Sequence, residues 1–150
     1  MATPGVNCWD DVPTFWEALL RGESGIDHIK RFPTEGFGVD IAGEVKDFDF
    51  SRAGVERKDA RRLAPYVLYA MAASREALLQ SGVLDAPFVP QRVATVIGTG
   101  IGALRQIELE MDVLRKRGPR RVSPLLVPSG TPEVSPSEVS RMYGFKGPSF

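Results

Sequence analysis

The sequence predicts an α/β fold, because segments with helical periodicity alternate with short apolar segments of strand length. Apolar residues recur at helical spacing in the segments 65–81 and 103–117, whereas residues 93–97 form an apolar run too short for a typical helix. Convincing strand patterns occur only at 39–45 and 93–97, which is too few for a complete sheet. We therefore expect a layered α/β fold that is incomplete, rather than an all-α fold.

The first predicted helix begins after Asp11, a residue type that caps helices, and ends at Gly22. Pro13 suits its first turn. Its apolar stripe consists of Phe15, Trp16, Leu19 and Leu20. Residues 23–38 then predict a glycine-punctuated loop, which contains His28.

The middle of the chain predicts one strand and one long helix. The strand pattern at 39–45 alternates but is interrupted by a glycine, and residues 51–62 are polar and predict short helical pieces. A helix is predicted over 65–81, with Gly82 as its C-terminal stop. Its segment 66–73 is apolar nearly all round, which predicts burial on more than one side.

Two further helices follow the strand at 93–97. The helix predicted over 103–117 ends at Gly118 and Pro119. One of its faces carries Leu104, Ile107, Met111 and Leu114. The last helix has the sequence of a capping box at 135–138 and is expected to end at Gly144.

Length and composition describe an ordinary globular chain of 150 residues, enough for one modest domain. It is 43% hydrophobic and 25% charged, and no apolar run reaches the ~20 residues that a membrane span needs. The first residues lack the basic and apolar regions of a secretory signal, and a single cysteine permits no internal disulfide. These features predict a cytoplasmic protein.

Basic residues are clustered although the net charge is zero. Ten of the nineteen lie in two short windows, 52–62 and 115–121. One interpretation is a pair of solvated helix ends, since lysine and arginine favour C-terminal turns. The other is a docking surface for an acidic partner.

The glycine-rich segment 98–103 formally matches the G-x-G-x-x-A fingerprint of dinucleotide-binding folds. Such a fold should place an acidic residue about 20 positions further on, at the end of a second strand. Residues 117–122 are basic and proline-flanked instead. A dinucleotide-binding module is therefore a minor alternative.

The residues that usually carry nucleophilic or metal chemistry are scarce. Cys8 is the single cysteine and His28 the single histidine, and neither has an evident partner along the sequence. We therefore assign no catalytic residue, no metal ligand and no cofactor to this chain.

Motifs along the whole chain occur in a characteristic order. They are Thr14-Phe-Trp-Glu-Ala-Leu-Leu20, Gly22-Glu-Ser-Gly-Ile26, Arg31-Phe32, Ala42-Gly-Glu-Val-Lys-Asp-Phe48, Arg57-Lys-Asp-Ala-Arg-Arg62, Arg92-Val-Ala-Thr-Val-Ile-Gly-Thr-Gly-Ile-Gly-Ala-Leu104, Gly118-Pro-Arg-Arg-Val-Ser-Pro124 and Gly144-Phe-Lys-Gly-Pro-Ser149. Taken together they resemble the N-terminal part of the β-ketoacyl-[acyl carrier protein] synthases of the elongating type. The resemblance implies a thiolase-like layered α/β fold and an acyltransferase that carries out decarboxylative condensation in fatty-acid or polyketide biosynthesis.

The resemblance also implies partners. An acyl carrier protein would deliver acyl and malonyl groups on its phosphopantetheine arm, and the complete protein would be a homodimer, with neither nucleic acid nor membrane involved. The carrier-binding residues implied are Lys58, Arg61, Arg62, Arg120 and Arg121, and we expect them to form one face.

An acyl pocket follows from the same resemblance. Ile101 would line or gate it, together with Leu126 and Val127, the latter reaching the pocket of the partner subunit. The alternative is that Ile101 is an ordinary core residue at a tight turn.

The chain departs from the family pattern in three places. Residues 130–139 lack its usual asparagine-methionine-alanine sequence. The family's nucleophilic cysteine would lie just after Phe150, and its first strand before Met1. We therefore expect an N-terminal domain fragment over 1–150, which cannot condense substrates by itself. A non-catalytic subunit resembling the chain-length factors of polyketide systems is the main alternative.

Overall fold

A computed structural model describes residues 11–150 of the chain. Its residues group into two compact units, which divide between Asp49 and Phe50.

The first unit begins with helix α1, Val12–Leu20. Asp11 caps it as predicted, because its side chain accepts a hydrogen bond of 2.9 Å from the backbone N–H of Thr14. The predicted apolar stripe is present but only partly covered: Phe15 is 38% exposed and Leu20 is 70% exposed.

A short antiparallel hairpin follows α1. Strand β1, Asp27–His28, pairs with strand β2, Ile41–Ala42, so that His28 lies opposite Ile41. The prediction that residues 23–38 are entirely loop is therefore wrong at β1, and the strand predicted over 39–45 is reduced to β2. The physical reason is that polar side-chain pairs hold this hairpin together, which an apolar alternation pattern does not reveal.

Asp27 is the centre of these polar pairs. Its carboxylate accepts hydrogen bonds from Lys30 Nζ at 3.1 Å, Lys46 Nζ at 3.2 Å and the backbone N–H of His28. The bond from Lys30, the backbone bond and the bond from Lys46 together hold the pKa of Asp27 well below its usual range. Asp27 thus joins the start of the hairpin to its far side.

The second unit is built around one long helix. A 3-10 turn, Phe50–Ala53, and helix α2, Arg57–Ala60, confirm the predicted helical pieces. Helix α3 is Pro65–Ser81, and Gly82 ends it in the left-handed conformation with φ 64°, both as predicted. Along its first turns three apolar side chains are fully buried: Val67, Leu68 and Met71. Half-buried tyrosines lie beside them, so burial on more than one side is confirmed.

Helix α4, Leu104–Arg117, also confirms its prediction, with Gly118 as its C-cap. Its predicted apolar face, however, is not a core face. Leu104 is 54% exposed and Leu114 is 37% exposed, and no residue of α4 is fully buried. The helix thus presents apolar side chains at the surface of this unit.

Helices α5, Leu126–Gly130, and α6, Val134–Tyr143, complete the unit, and α6 packs against α3. The predicted capping box is wrong. Because α6 begins at Val134, Ser135 lies inside its first turn, where its hydroxyl donates to the carbonyl of Pro132 at 3.1 Å. Glu138 pairs with Arg141 instead of the helix start. Gly144 ends α6 as predicted, with φ 71°.

Between residues 11 and 150, none of the helices has the length and apolar character needed to cross a membrane.

Candidate functional site

Two of the motifs that carry the family resemblance lie side by side. Residues 93–97 run parallel to residues 147–150. The backbone N–H of Thr95 donates to Pro148 at 2.9 Å, and the N–H of Phe150 donates back to Thr95 at 3.1 Å. The start of the glycine-rich loop at 98–103 therefore lies beside Phe150.

The strand predicted at 93–97 is only partly formed. The structure assigns an isolated parallel bridge between Thr95 and Ser149, not a full strand, and Val96 is 66% exposed. A buried strand needs neighbours on both sides, and among the described residues only 147–150 pair with it. In the part of the chain that the structure describes, the predicted strand is therefore reduced to this short and partly exposed pairing.

The surroundings of Gly147 explain why the motif at 144–149 has a glycine at this position. A Cβ atom at Gly147 would collide with the backbone carbonyl of Val93. The backbone N–H of Gly147 also donates to that carbonyl, at 3.1 Å. The close approach of the two segments thus requires a residue without a side chain.

Three hydroxyl groups lie at the paired segments 93–97 and 147–150. Ser140 Oγ donates to Thr95 Oγ1 at 2.8 Å, and both residues are buried, so α6 is joined to the extended segment. The Oγ atom of Ser149 is buried without a hydrogen-bond partner within the part of the chain that the structure describes.

Only one of the three alternating glycines is required by its surroundings. Gly102 has φ 79°, and a Cβ there would lie 3.1 Å from the carbonyl oxygen of Gly130. Positions 98 and 100 have open space around them. Ile101, at the tip of this loop, is 62% exposed, so the alternative that it is an ordinary core residue is wrong for this structure.

Helix α5 lies beside the glycine loop. The backbone N–H of Ala103 donates to Gly130 at 3.4 Å, and Gln106 Nε2 donates to Ser129 Oγ at 3.3 Å. Of the two predicted pocket residues on α5, Leu126 is half-buried and Val127 is 71% exposed. The loop that carries Ile101 and the helix that carries Val127 are therefore neighbours, and both residues present apolar side chains to the surface.

Tyr66 fixes the segment that follows α5. Its hydroxyl donates a 2.6 Å hydrogen bond to the carbonyl of Thr131, which ties the start of α3 to this segment. Burial raises the pKa of Tyr66, and the charge of Glu133 adds to the effect. No sequence pattern predicts this contact, because the two residues are far apart along the chain.

The first basic group lies at and after α2. Lys58, Arg61 and Arg62 are all exposed, and Lys58 Nζ lies 3.2 Å from a carboxylate oxygen of Glu56. A groove of about 450 Å³ between α2 and α6 is lined by Lys58, Arg62 and Arg141, among others. The groove also contains three acidic residues, Glu56, Asp59 and Glu138, so its charge is balanced.

The second basic group divides into two parts. Arg115 and Lys116, in the last turn of α4, pair with Asp112 at 3.8 Å and 2.8 Å, as expected of a solvated helix end. Arg120 and Arg121 lie beyond the helix in a 3-10 turn, Pro119–Arg121, and both are exposed. That the two basic groups share one face stays a prediction.

The isolated candidates for catalysis are only partly described. Cys8 lies outside the described residues. His28 does have an acidic partner that sequence reasoning missed: its Nδ1 atom lies 2.9 Å from Asp40 Oδ2. Within residues 11–150 no group of three histidine, cysteine or acidic side chains is placed to hold a metal ion.

The dinucleotide alternative is not supported by the fold after the glycine loop. Helix α4 is followed by the turn Pro119–Arg121 and by α5, and the described residues form no second strand there. The βαβ unit of a dinucleotide-binding fold is therefore absent from this part of the described chain.

Comparisons with known proteins agree with the order of the motifs. Residues 1–150 match the sequence profile of a family described as "Beta-ketoacyl synthase, N-terminal domain". The chain is similar to a 3-oxoacyl-[acyl-carrier-protein] synthase 2 from Staphylococcus aureus, at 39% identity over 139 residues, which cover 93% of this chain and 34% of that protein. It is 40% identical over 137 residues to the synthase of the same name from Vibrio harveyi, covering 91% of this chain and 33% of that protein.

Solved structures show the same fold. The ishigamide ketosynthase/chain length factor superposes with a TM-score of 0.77 at 25% identity, over 93% of this chain and 35% of that chain. A type II polyketide acyl-carrier protein in complex with its ketosynthase gives 0.62 at 24% identity, over 71% of this chain and 31% of that chain. These similarities confirm a thiolase-like α/β fold, of which the described residues form a mostly helical portion. The chain spans about a third of the length of the curated relatives it matches.

Proposed function

The chain belongs to the β-ketoacyl synthase family, and on that premise we propose that it is the N-terminal part of a 3-oxoacyl-[acyl carrier protein] synthase of fatty-acid biosynthesis. The relatives from Staphylococcus aureus and Vibrio harveyi that support this are both named for that activity. The observation that carries the proposal is the parallel pairing of residues 93–97 with residues 147–150. It brings together two motifs that are distant in the sequence and characteristic of the family.

The proposed reaction is a decarboxylative condensation. An acyl group first moves from its carrier thioester to a cysteine thiolate of the enzyme and releases the carrier thiol. A malonyl-carrier thioester then loses carbon dioxide, and the carbanion attacks the acyl-enzyme carbonyl. A new carbon–carbon bond forms, the enzyme thiolate leaves, and the product is a 3-oxoacyl-carrier thioester.

This chain would contribute binding surfaces to that reaction. Lys58, Arg61 and Arg62 after α2, together with Arg120 and Arg121, would meet the acidic carrier protein; their exposure supports this role. A solved neighbour that contains a ketosynthase with its acyl-carrier protein supports the same kind of partner.

The acyl chain would lie against the glycine loop. Ile101 is exposed at the tip of the loop, and α5 with Leu126 and Val127 is its neighbour. Apolar side chains beside backbone that carries no side chains can contact an alkyl chain closely.

A homodimer and a cytoplasmic location are part of the proposal. Exposed apolar residues on α4, at the N-cap of α5 and on α5 itself support a subunit contact; they include Leu104, Met111, Leu125 and Val127. A chain with a single cysteine has no internal disulfide to maintain, which supports a reducing compartment.

The alternative is a non-catalytic subunit of the chain-length-factor type. The similarity to a ketosynthase/chain length factor structure favours this second candidate. The two differ in one step, since only a condensing enzyme forms an acyl-enzyme.

Intact-protein mass spectrometry tests the choice. The natural polypeptide that contains these 150 residues is incubated with an acyl-carrier thioester, and the mass increase is located by proteolysis. We expect one acyl group on a cysteine other than Cys8. A polypeptide that binds the carrier but never becomes acylated would favour the chain-length-factor alternative.

A further inference from the structure

The turn that carries Arg120 and Arg121 is attached to helix α4 at both of its ends. At the start, the backbone N–H of Gly118 donates to the carbonyl of Leu114 at 3.0 Å. At the other end, the backbone N–H of Ser123 donates to Glu110 Oε2 at 2.8 Å. Both attachment points lie on the same helix, so the turn is a closed loop on the surface of α4.

The Glu110 contact is the one made by a side chain. Glu110 is half-buried, and its bond to Ser123 spans thirteen residues of sequence. Ser123 in turn is bonded to the residues at the start of α5: its hydroxyl accepts from the N–H of Leu125 at 3.2 Å, and its carbonyl accepts from the N–H of Leu126 at 3.1 Å. Loss of the Glu110 carboxylate would therefore free the end of the turn and the junction with α5 together.

Because Glu110 is charged, it could either neutralise the nearby basic group or hold the backbone of the turn. A carboxylate next to a basic group weakens its attraction for an acidic partner. Within the described residues, the ion pairs of this basic group are made by Asp112, with Arg115 and Lys116, and not by Glu110. The role of Glu110 that the geometry supports is therefore to hold the backbone, not to neutralise arginine.

We propose that Glu110 is a positioning residue for docking of the acidic carrier protein, because it holds the turn so that Arg120 and Arg121 are presented together. This inference rests on the proposed function. A turn that is ordered before binding loses less conformational freedom in the complex, which raises affinity without a direct contact.

The direction in which carrier affinity changes when the Glu110 carboxylate is removed distinguishes the proposal from simple electrostatics. Removing a negative charge beside a basic surface should strengthen binding of an acidic carrier. Releasing the turn should weaken it. In the natural polypeptide, we expect Glu110→Ala to weaken carrier binding about three- to tenfold, the range expected for loss of one hydrogen bond.

Two further variants provide matched comparisons. Glu110→Gln keeps an oxygen that can accept from Ser123, so its affinity should stay within about twofold of the original. Glu108→Ala removes the same charge from an exposed position of the same helix, and its affinity should be unchanged or slightly higher. Hydrogen exchange at the Ser123 amide should become faster in Glu110→Ala and not in Glu108→Ala. Circular dichroism establishes whether the variants are folded. Should Glu110→Ala not fold, Glu110→Gln is compared with Glu108→Ala. Weaker carrier binding by Glu110→Gln, without faster hydrogen exchange at the Ser123 amide, then overturns the inference.

A double-mutant cycle separates this inference from the proposed function. Arg120→Ala with Arg121→Ala should weaken binding, and Glu110→Ala should have no additional effect in that background. If the arginine variant binds less tightly while Glu110→Ala binds equally or more tightly, the inference is wrong and carrier docking stands. An equal loss from Glu110→Ala in both backgrounds also overturns the inference. If the arginine variant binds unchanged, carrier docking at this turn is wrong, and the inference is wrong with it.

Discussion

Gly147 lies so close to the backbone carbonyl of Val93 that a methyl group on its α-carbon would collide with that carbonyl. The contact holds residues 147–150 parallel to residues 93–97 and brings the end of one motif to the beginning of another. The backbone pairing of these two segments is therefore the structural centre of the candidate site.

A substitution at this contact should be costly for stability. We expect Gly147→Ala to lower the free energy of unfolding by about 1–3 kcal/mol, because a close approach of two backbone segments must open to admit the methyl group. Gly98→Ala is the matched control, since a Cβ there meets no atom within 4 Å. Its effect should be neutral or slightly stabilising. Urea unfolding of the natural polypeptide measures both, and equal effects would contradict the proposed contact.

The hairpin of the first unit should depend on pH through Asp27. Hydrogen bonds from Lys30, the His28 backbone and Lys46 lower the pKa of Asp27 in the folded state. A lowered folded-state pKa contributes stability above the unfolded-state value of about 4, and that contribution is lost as the pH falls further. We expect the acid-induced loss of hairpin signals in NMR spectra to be smaller in Asp27→Asn. An identical acid transition in both proteins would show that Asp27 does not contribute.

Carrier docking should require both basic groups. We expect Arg61→Glu combined with Arg120→Glu to weaken carrier binding by about 2–4 kcal/mol, mostly through slower association at low salt. Arg92→Glu reverses the same charge at an exposed position outside the two groups and serves as the control. Stopped-flow association rates at several salt concentrations provide the measurement. Rates that respond equally to all three positions would mean that net charge, not a defined face, governs binding.

Chain-length selectivity should depend on the tip of the glycine loop. Ile101→Phe places a larger side chain where the acyl group is proposed to lie, so we expect long acyl chains to be rejected while short ones are spared. Leu79→Phe is a fair control, because Leu79 and Ile101 are both 62% exposed. Competition between acyl-carrier substrates of different length gives the readout. Unchanged selectivity in Ile101→Phe would place the pocket elsewhere.

Local signals explain which parts of the fold were predictable. Gly82 and Gly118 stop α3 and α4 where the sequence indicates, because a glycine at a helix end acts within a few residues. The capping box at Ser135 failed because α6 begins two residues earlier than the motif assumes. Contacts such as His28–Asp40 and Glu110–Ser123 could not be predicted. They join residues twelve and thirteen positions apart, whose proximity depends on hairpin register and helix packing.

The candidate site was predictable to a similar degree. The motifs identified the family and the exposed residues Ile101 and Arg120, but not the interactions that position them. The loop is held by Gly102 against Gly130, and the basic turn by Glu110. Such supporting contacts have no motif of their own, because any residue of suitable size or polarity can make them.

Condensation by the natural polypeptide tests the central claim most directly. The polypeptide that contains these 150 residues is incubated with acyl- and malonyl-carrier thioesters, and the 3-oxoacyl product is measured by mass spectrometry, with Cys8→Ala in parallel. Because Cys8 has no evident activating partner, we expect product from both proteins at similar rates. Absence of the 3-oxoacyl product, or turnover that Cys8→Ala abolishes, would contradict the account.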